Sequence, residues 1–155
     1  MKMKFFINLF FLIFFILLSG CGYTPLLNSK KINFVIEDLN FEGEKKINNY
    51  IYRNLKKYQN SKQTTKNYDI NISSAYIKNI INKDDSGNPK NYKIILETKV
   101  TITLSSGNEI KKSFTRNISL ASQDKKISER ELERKYIKDL SNLLSEDIIF
   151  FLTSL

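Results

Sequence analysis

The chain has 155 residues, with 25 Lys or Arg against 16 Asp or Glu, a formal net charge of +9, one Cys, and neither His nor Trp. Without His there is no imidazole base and no Ser-His-Asp triad. One Cys and no His also leave no soft-metal ligand set and no disulfide within the chain.

Lys2 and Lys4 precede an apolar run from Phe5 to Leu18 that only Asn8 interrupts, and no acidic residue comes before Cys21. Fourteen residues fall short of the roughly 20 that a membrane-spanning helix needs, and they suit the core of a signal peptide. Leu18-Ser19-Gly20-Cys21 resembles the bacterial lipobox, in which Leu and two small residues let the backbone enter a peptidase and present the Cys thiol for diacylation. The expected organisation is a lipoprotein signal peptide over 1–20, a lipidated tether over 21–31, and a single domain over 32–155. Cys21 then carries S-diacylglycerol and an N-acyl chain, a covalent anchor and not a dissociable cofactor. The rival reading, an ordinary buried thiol behind a signal sequence or an anchor helix, leaves unexplained why the one Cys sits where the apolar run ends. Two or three acyl chains hold a protein firmly on a bilayer, whereas one gives marginal binding. Gly22, in place of the Asp that retains enterobacterial lipoproteins at the inner membrane, favours the outer membrane.

Removal of residues 1–20 leaves 135, enough for one core that buries about two-thirds of its unfolded surface. It takes Lys2 and Lys4 away, so the mature charge is 23 − 16 = +7. A basic surface suits an anionic partner, and export takes nucleic acid out of reach. Lys, Asn and Ile are abundant throughout, so charge alone does not identify that partner.

Pro25 keeps the tether from continuing as helix. Ile32, Phe34 and Ile36 alternate as in a strand over 32–36. From Gly43 the period lengthens: Ile47, Ile51, Leu55 and Tyr58 recur every three to four residues, with Lys45, Lys46, Arg53, Lys56 and Lys57 largely opposite. That is an amphipathic helix of about four turns. Three strands with period two follow. Tyr68, Ile70, Ile72, Ser74, Tyr76 and Ile80 share the buried side of the first. Tyr92, Ile94, Leu96, Thr98, Val100, Ile102 and Leu104 share that of the second, and Ile110, Phe114, Ile118 and Leu120 that of the third. One polar face on each points to an antiparallel sheet. Ser105-Ser106-Gly107-Asn108 closes the second and third as a hairpin, with Gly107 at positive φ. A longer loop, 82–91, joins the first and second. Asn82, Asp84, Ser86 and Gly87 imitate the start of a calcium loop, but Lys93 stands where its bidentate Glu belongs, so a polar hairpin tip is expected. Ser128 and Glu131 form a capping box that opens a helix of six to seven turns, its stripe running through Leu132, Tyr136, Leu140, Leu143, Leu144, Ile148 and Phe151. Capping also accounts for Glu129 and Glu131, a carboxylate pair that could otherwise suggest glycoside chemistry.

The order β-α-β-β-β-α predicts an α+β two-layer sandwich: a four-stranded, mostly antiparallel sheet with both helices on its apolar face. Cys21, Gly22, Tyr23, Pro25 and Leu26, followed by this element order in a small basic domain, resemble the lipopolysaccharide-assembly lipoprotein family, LptE, of α-proteobacterial type. The resemblance spans the mature chain. It implies a non-enzymatic outer-membrane lipoprotein, on the periplasmic side or in the barrel lumen, that plugs and helps assemble the LptD β-barrel and assists lipopolysaccharide insertion. It also implies lipopolysaccharide contact by basic residues near one end of the domain, here placed on Lys83, Lys90 and Lys93 at the long loop. The alternative function is accessory lipoprotein of another envelope lipid-transport or barrel-assembly complex. No metal site is expected.

Overall fold

The computed structural model describes residues 33–59 and 66–155, all within one compact unit, Ile32–Leu155. Leu18, Ser19, Gly20, Cys21 and the tether lie outside the described residues. The elements are β1 (Phe34–Gly43), α1 (Lys45–Leu55) with a 3-10 turn (Lys56–Tyr58), β2 (Lys66–Lys83), β3 (Pro89–Leu104), β4 (Glu109–Ala121) and α2 (Lys126–Ser154). The sheet order is β1-β2-β3-β4. β1 runs parallel to β2, as the α1 crossover requires, and the other two pairs are antiparallel. The α+β order and the mixed four-stranded sheet are those the periodicity predicts.

Alternation decides which side chains meet the helices. Phe34, Ile36, Tyr68, Ile70, Ile72, Ile94, Leu96, Val100, Ile102 and Leu120 are buried on one sheet face. Ile47, Ile51 and Leu55 of α1, with Ile137, Leu140, Leu144, Ile148, Ile149 and Leu152 of α2, complete a single core. Phe34 packs its ring 5.4 Å from Tyr58 and 5.9 Å from Tyr68, so the end of α1 returns to the start of β1. Polar groups fasten the layers. Buried Asn48 donates to the Glu42 carbonyl at 2.9 Å and accepts from Ser74 Oγ at 2.7 Å. Arg116 on β4 grips Asp147 on α2 with two hydrogen bonds, 2.8 and 2.6 Å.

Several boundaries depart from the sequence reading. β1 extends to Gly43 because a bulge between Ile36 and Leu39 absorbs Glu37 and Asp38, after which pairing resumes through Gly43 with Ser74. Ile80 is not core: it is 49% exposed, because β2 runs on past the helix layer. No capping box forms at Ser128. The helix starts two residues earlier, with Lys125 as N-cap and no side-chain cap bond, and Ser128 falls inside the first turn. Its length, 29 residues or about eight turns, exceeds expectation accordingly. Leu143 is 42% exposed, while Ser141, Ser145, Ile149 and Leu152 line the buried stripe instead. Ile148, Ile149 and Leu152 are buried in the chain's own core, which accounts for the apolar character of the helix end.

Gly43 is the tightest point of the crossover. Its φ is +86°, and a Cβ there would lie 2.0 Å from the Ser74 carbonyl oxygen, which also accepts the Glu44 amide at 3.1 Å. Gly107, at φ +82°, has open space around it. Gly43→Ala is therefore expected to lower unfolding free energy by about 3 kcal/mol or more, and Gly107→Ala by about 1 kcal/mol. Denaturant titration of both checks this; equal midpoints would contradict it.

Candidate functional site

With both helices on one face, the other sheet face is open. Asn71 and Ser73 of β2 stand beside Asn40 and Glu42 of β1, and Thr101 and Lys99 of β3 beside Lys111 and Ser113 of β4. These residues line a shallow polar concavity of about 560 Å³. At β4 Lys111 pairs with Glu109 at 3.1 Å, both exposed. Hydroxyls, amides and exposed lysines on this face present hydrogen-bonding area.

β2 and β3 extend past this face as a long arm. Phe34 pairs with Lys66 at the near end of β2, and Lys83 pairs with Pro89 at the far end. Seventeen residues at about 3.3 Å each put the arm tip roughly 55 Å from where the chain enters the sheet. The tip is pinned by Asp84. Its Oδ1 accepts the amides of Asn88 and Ser86 at 2.8 and 3.0 Å, and its Oδ2 accepts from the Asn88 side chain at 3.3 Å. The Asn88 amide is the main reason its carboxyl is held below the usual range. Both oxygens serve the turn.

Lys83, Lys90 and Lys93 are all exposed at this end. Lys93 alternates to the open face, whereas register shifts between Ile80 and Lys83 interrupt the alternation around Lys83 and Lys90. The Lys90 carbonyl accepts the Ser122 amide at 2.9 Å. Ile80 and Ile81 of the arm and Ile127 at the start of α2 are 49%, 52% and 72% exposed. The far end thus combines cations with unsheltered aliphatic groups.

Below the tip lies a cluster that sequence reading missed. Lys78 points to the helix side of β2 and donates to Glu133 at 2.7 Å and Glu129 at 3.4 Å, its amine 4.2 Å from the centre of the Tyr92 ring. Tyr76 Oη donates to Glu133 at 2.6 Å. Glu129 also accepts from Ser122 Oγ, the Gln123 amide and Lys126 at 3.2, 3.3 and 3.2 Å. A lysine at an inward strand position and Glu at i and i+4 were the available signals. Period-two counting passes over the first, and capping absorbed Glu129.

Burial by itself would raise both carboxyls. Lys126, Gln123, Lys78 and Ser122 outweigh it at Glu129, and Lys78 and Tyr76 at Glu133, so both are held below their ordinary range. Burial would lower the Lys78 ammonium, but Glu133 and Glu129 raise it. Depressed carboxyl values mean that the unfolded chain binds protons first. The cluster's contribution is complete above the ordinary carboxyl value of 4.5 and is lost as pH falls through the folded values. Lys78→Met should cost about 2 kcal/mol at neutral pH, by leaving the half-buried Glu133 carboxylate without a cation while Glu129 keeps Lys126, and should flatten the loss of stability on acidification. Thermal melts from about pH 6 to pH 3 test this; parallel curves for the two proteins would contradict it.

No family model matches the chain, and no curated protein matches it in sequence. Solved structures do. Rare lipoprotein B from Shewanella oneidensis superposes with a TM-score of 0.61 at 9% identity, covering 76% of this chain and 95% of that one. Uncharacterized lipoprotein B from Nitrosomonas europaea gives 0.50 at 12% identity, covering 84% and 88%. The chain has the fold of these lipoprotein B structures.

Proposed function

We propose that this chain is an LptE-type outer-membrane lipoprotein, anchored through acylated Cys21. It works by occupying and helping to assemble an LptD-type β-barrel during lipopolysaccharide insertion, and it carries out no covalent chemistry. The observation that carries the reading is the coincidence of two independent features: a Leu18-Ser19-Gly20-Cys21 lipobox and a domain with the fold of rare lipoprotein B. A sheet face of amides, hydroxyls and lysines suits a water-filled lumen. The arm tip, cationic beside Ile80 and Ile81, suits a phosphorylated amphiphile, for which charge-assisted bonds to phosphate are the strong contacts.

Metabolic labelling with a palmitate analogue should tag the protein, and Cys21→Ser should abolish the label and leave residues 1–20 uncleaved. Tagged protein purified in mild detergent should bring a large β-barrel protein with it. Recovery of soluble, unacylated protein without a barrel companion would overturn the proposal. At the tip, Lys83→Glu with Lys93→Glu should weaken lipopolysaccharide binding by roughly tenfold, as two exposed charge contacts allow. Unchanged affinity would remove these lysines from the site.

A further inference from the structure

The strongest concentration of charge is not at the arm tip. Residues 45–58 hold Lys45, Lys46, Arg53, Lys56 and Lys57 and none of the chain's 16 acidic residues. At 100° per residue the five cations fall within about 120° of one another, opposite the buried Ile47, Ile51 and Leu55. All five are exposed, and among the described residues none forms an ion pair. Aromatic rings support three of them: Arg53 lies 5.9 Å from the centre of Tyr50, Lys56 5.9 Å from Tyr52 and Lys57 5.1 Å from Tyr58. Tyr52 is itself 43% exposed. This helix face pairs with no carboxylate among the described residues, and its exposed tyrosine, Tyr52, suits the boundary between water and lipid.

Position in the fold says which anion is within reach. The 3-10 turn carrying Lys56 and Lys57 ends against Phe34, through the Tyr58 ring and the pairing of Gln59 with Ile36. Lys66 pairs with Phe34 from the other side. Twelve residues separate Phe34 from Cys21, and the thirteen steps between them give a contour of at most about 45 Å. If Cys21 is acylated, its bilayer is therefore always within a short tether of this end, and the arm tip is at the opposite end of β2. We propose that the outer face of α1, chiefly Arg53, Lys56 and Lys57, docks on the anionic phospholipid headgroups of the leaflet that holds the anchor and so sets the orientation of the domain. This rests on the anchored reading of Cys21. The acyl chains supply retention; the cations supply direction, each contributing attraction that acts only within about a Debye length of the surface.

The test uses the full-length acylated protein, with the mass of the acyl group on Cys21 confirmed first. With Cys21 blocked by lipid, a cysteine introduced by Asn49→Cys on the outer face of α1, or by Asn88→Cys at the arm tip, is the one free thiol for a fluorophore. The protein is reconstituted in vesicles with or without phosphatidylglycerol, carrying a headgroup quencher. Quenching at position 49 should exceed that at position 88 by roughly fivefold in anionic vesicles. It should fall to the position 88 level in zwitterionic vesicles, in the R53E/K56E/K57E variant, and in the unsubstituted background at about 0.5 M NaCl, where the Debye length is roughly 4 Å. The salt arm needs no charge substitution, so a folding defect cannot imitate it. Equal quenching at the two positions, or quenching indifferent to lipid charge and salt, would overturn the proposal and point to a protein as the partner of α1. An unmodified Cys21 would remove the anchor and the proposal with it, and mass spectrometry separates that failure from the others.

Discussion

The structure depends on a sheet that is apolar on one side only. Four strands alternate, so one face must be dried, and α1 and α2 are the two elements able to cover it. Ile70, Ile72, Ile94, Leu96 and Ile102 are shielded almost completely between them. That duty consumes the inner stripes of both helices. The opposite sheet face, with Asn71, Thr101 and Lys99, the arm, and the exposed outer face of α1 are what remain for other molecules.

An arm that outruns its covering layer needs another means of support. Lys78, Glu129, Glu133 and Tyr76 provide it by joining β2 to the first turns of α2, just where apolar cover ends. A shielded ionic cluster is geometrically demanding, since removing Lys78 leaves Glu133 with no cation. Asp84 does the same for the tip by gathering the turn amides onto one carboxylate. The cations at the far end are thus carried on a braced ribbon and not on a loose loop.

Most of the architecture was legible because periodicity maps directly onto burial. The 3.6-residue repeat from Ile47 to Leu55 and the two-residue repeats from Tyr68 to Tyr76 and from Ile94 to Ile102 all appear where expected. What was not legible involves residues that break a period for a tertiary reason. The bulge at Glu37 and Asp38 hides the second half of β1, because a one-residue slip reverses every later side chain. Ser128 has the chemistry of a cap, yet the backbone turns helical at Lys126, and Glu129 accepts from Ser122, the Gln123 amide and the Lys126 and Lys78 ammonium groups. Leu143 and Ile80 are apolar by composition and exposed by geometry. The three tip lysines all lie at the β2–β3 end of the sheet, and register shifts between Ile80 and Lys83 interrupt the alternation there, which spacing within an unformed loop does not reveal.

The proposed partners divide by place in the fold: a barrel at the open sheet face, a phosphorylated amphiphile at the arm tip and headgroups at α1. The account stands or falls on whether the open face is covered in the cell. Site-specific photo-cross-linking from Thr101, at the centre of that face, measures this directly. The account predicts a specific adduct with a large outer-membrane β-barrel protein, lost when the probe is moved to the buried side at Ile102. No adduct from Thr101 in cells that hold the mature, acylated protein would contradict it.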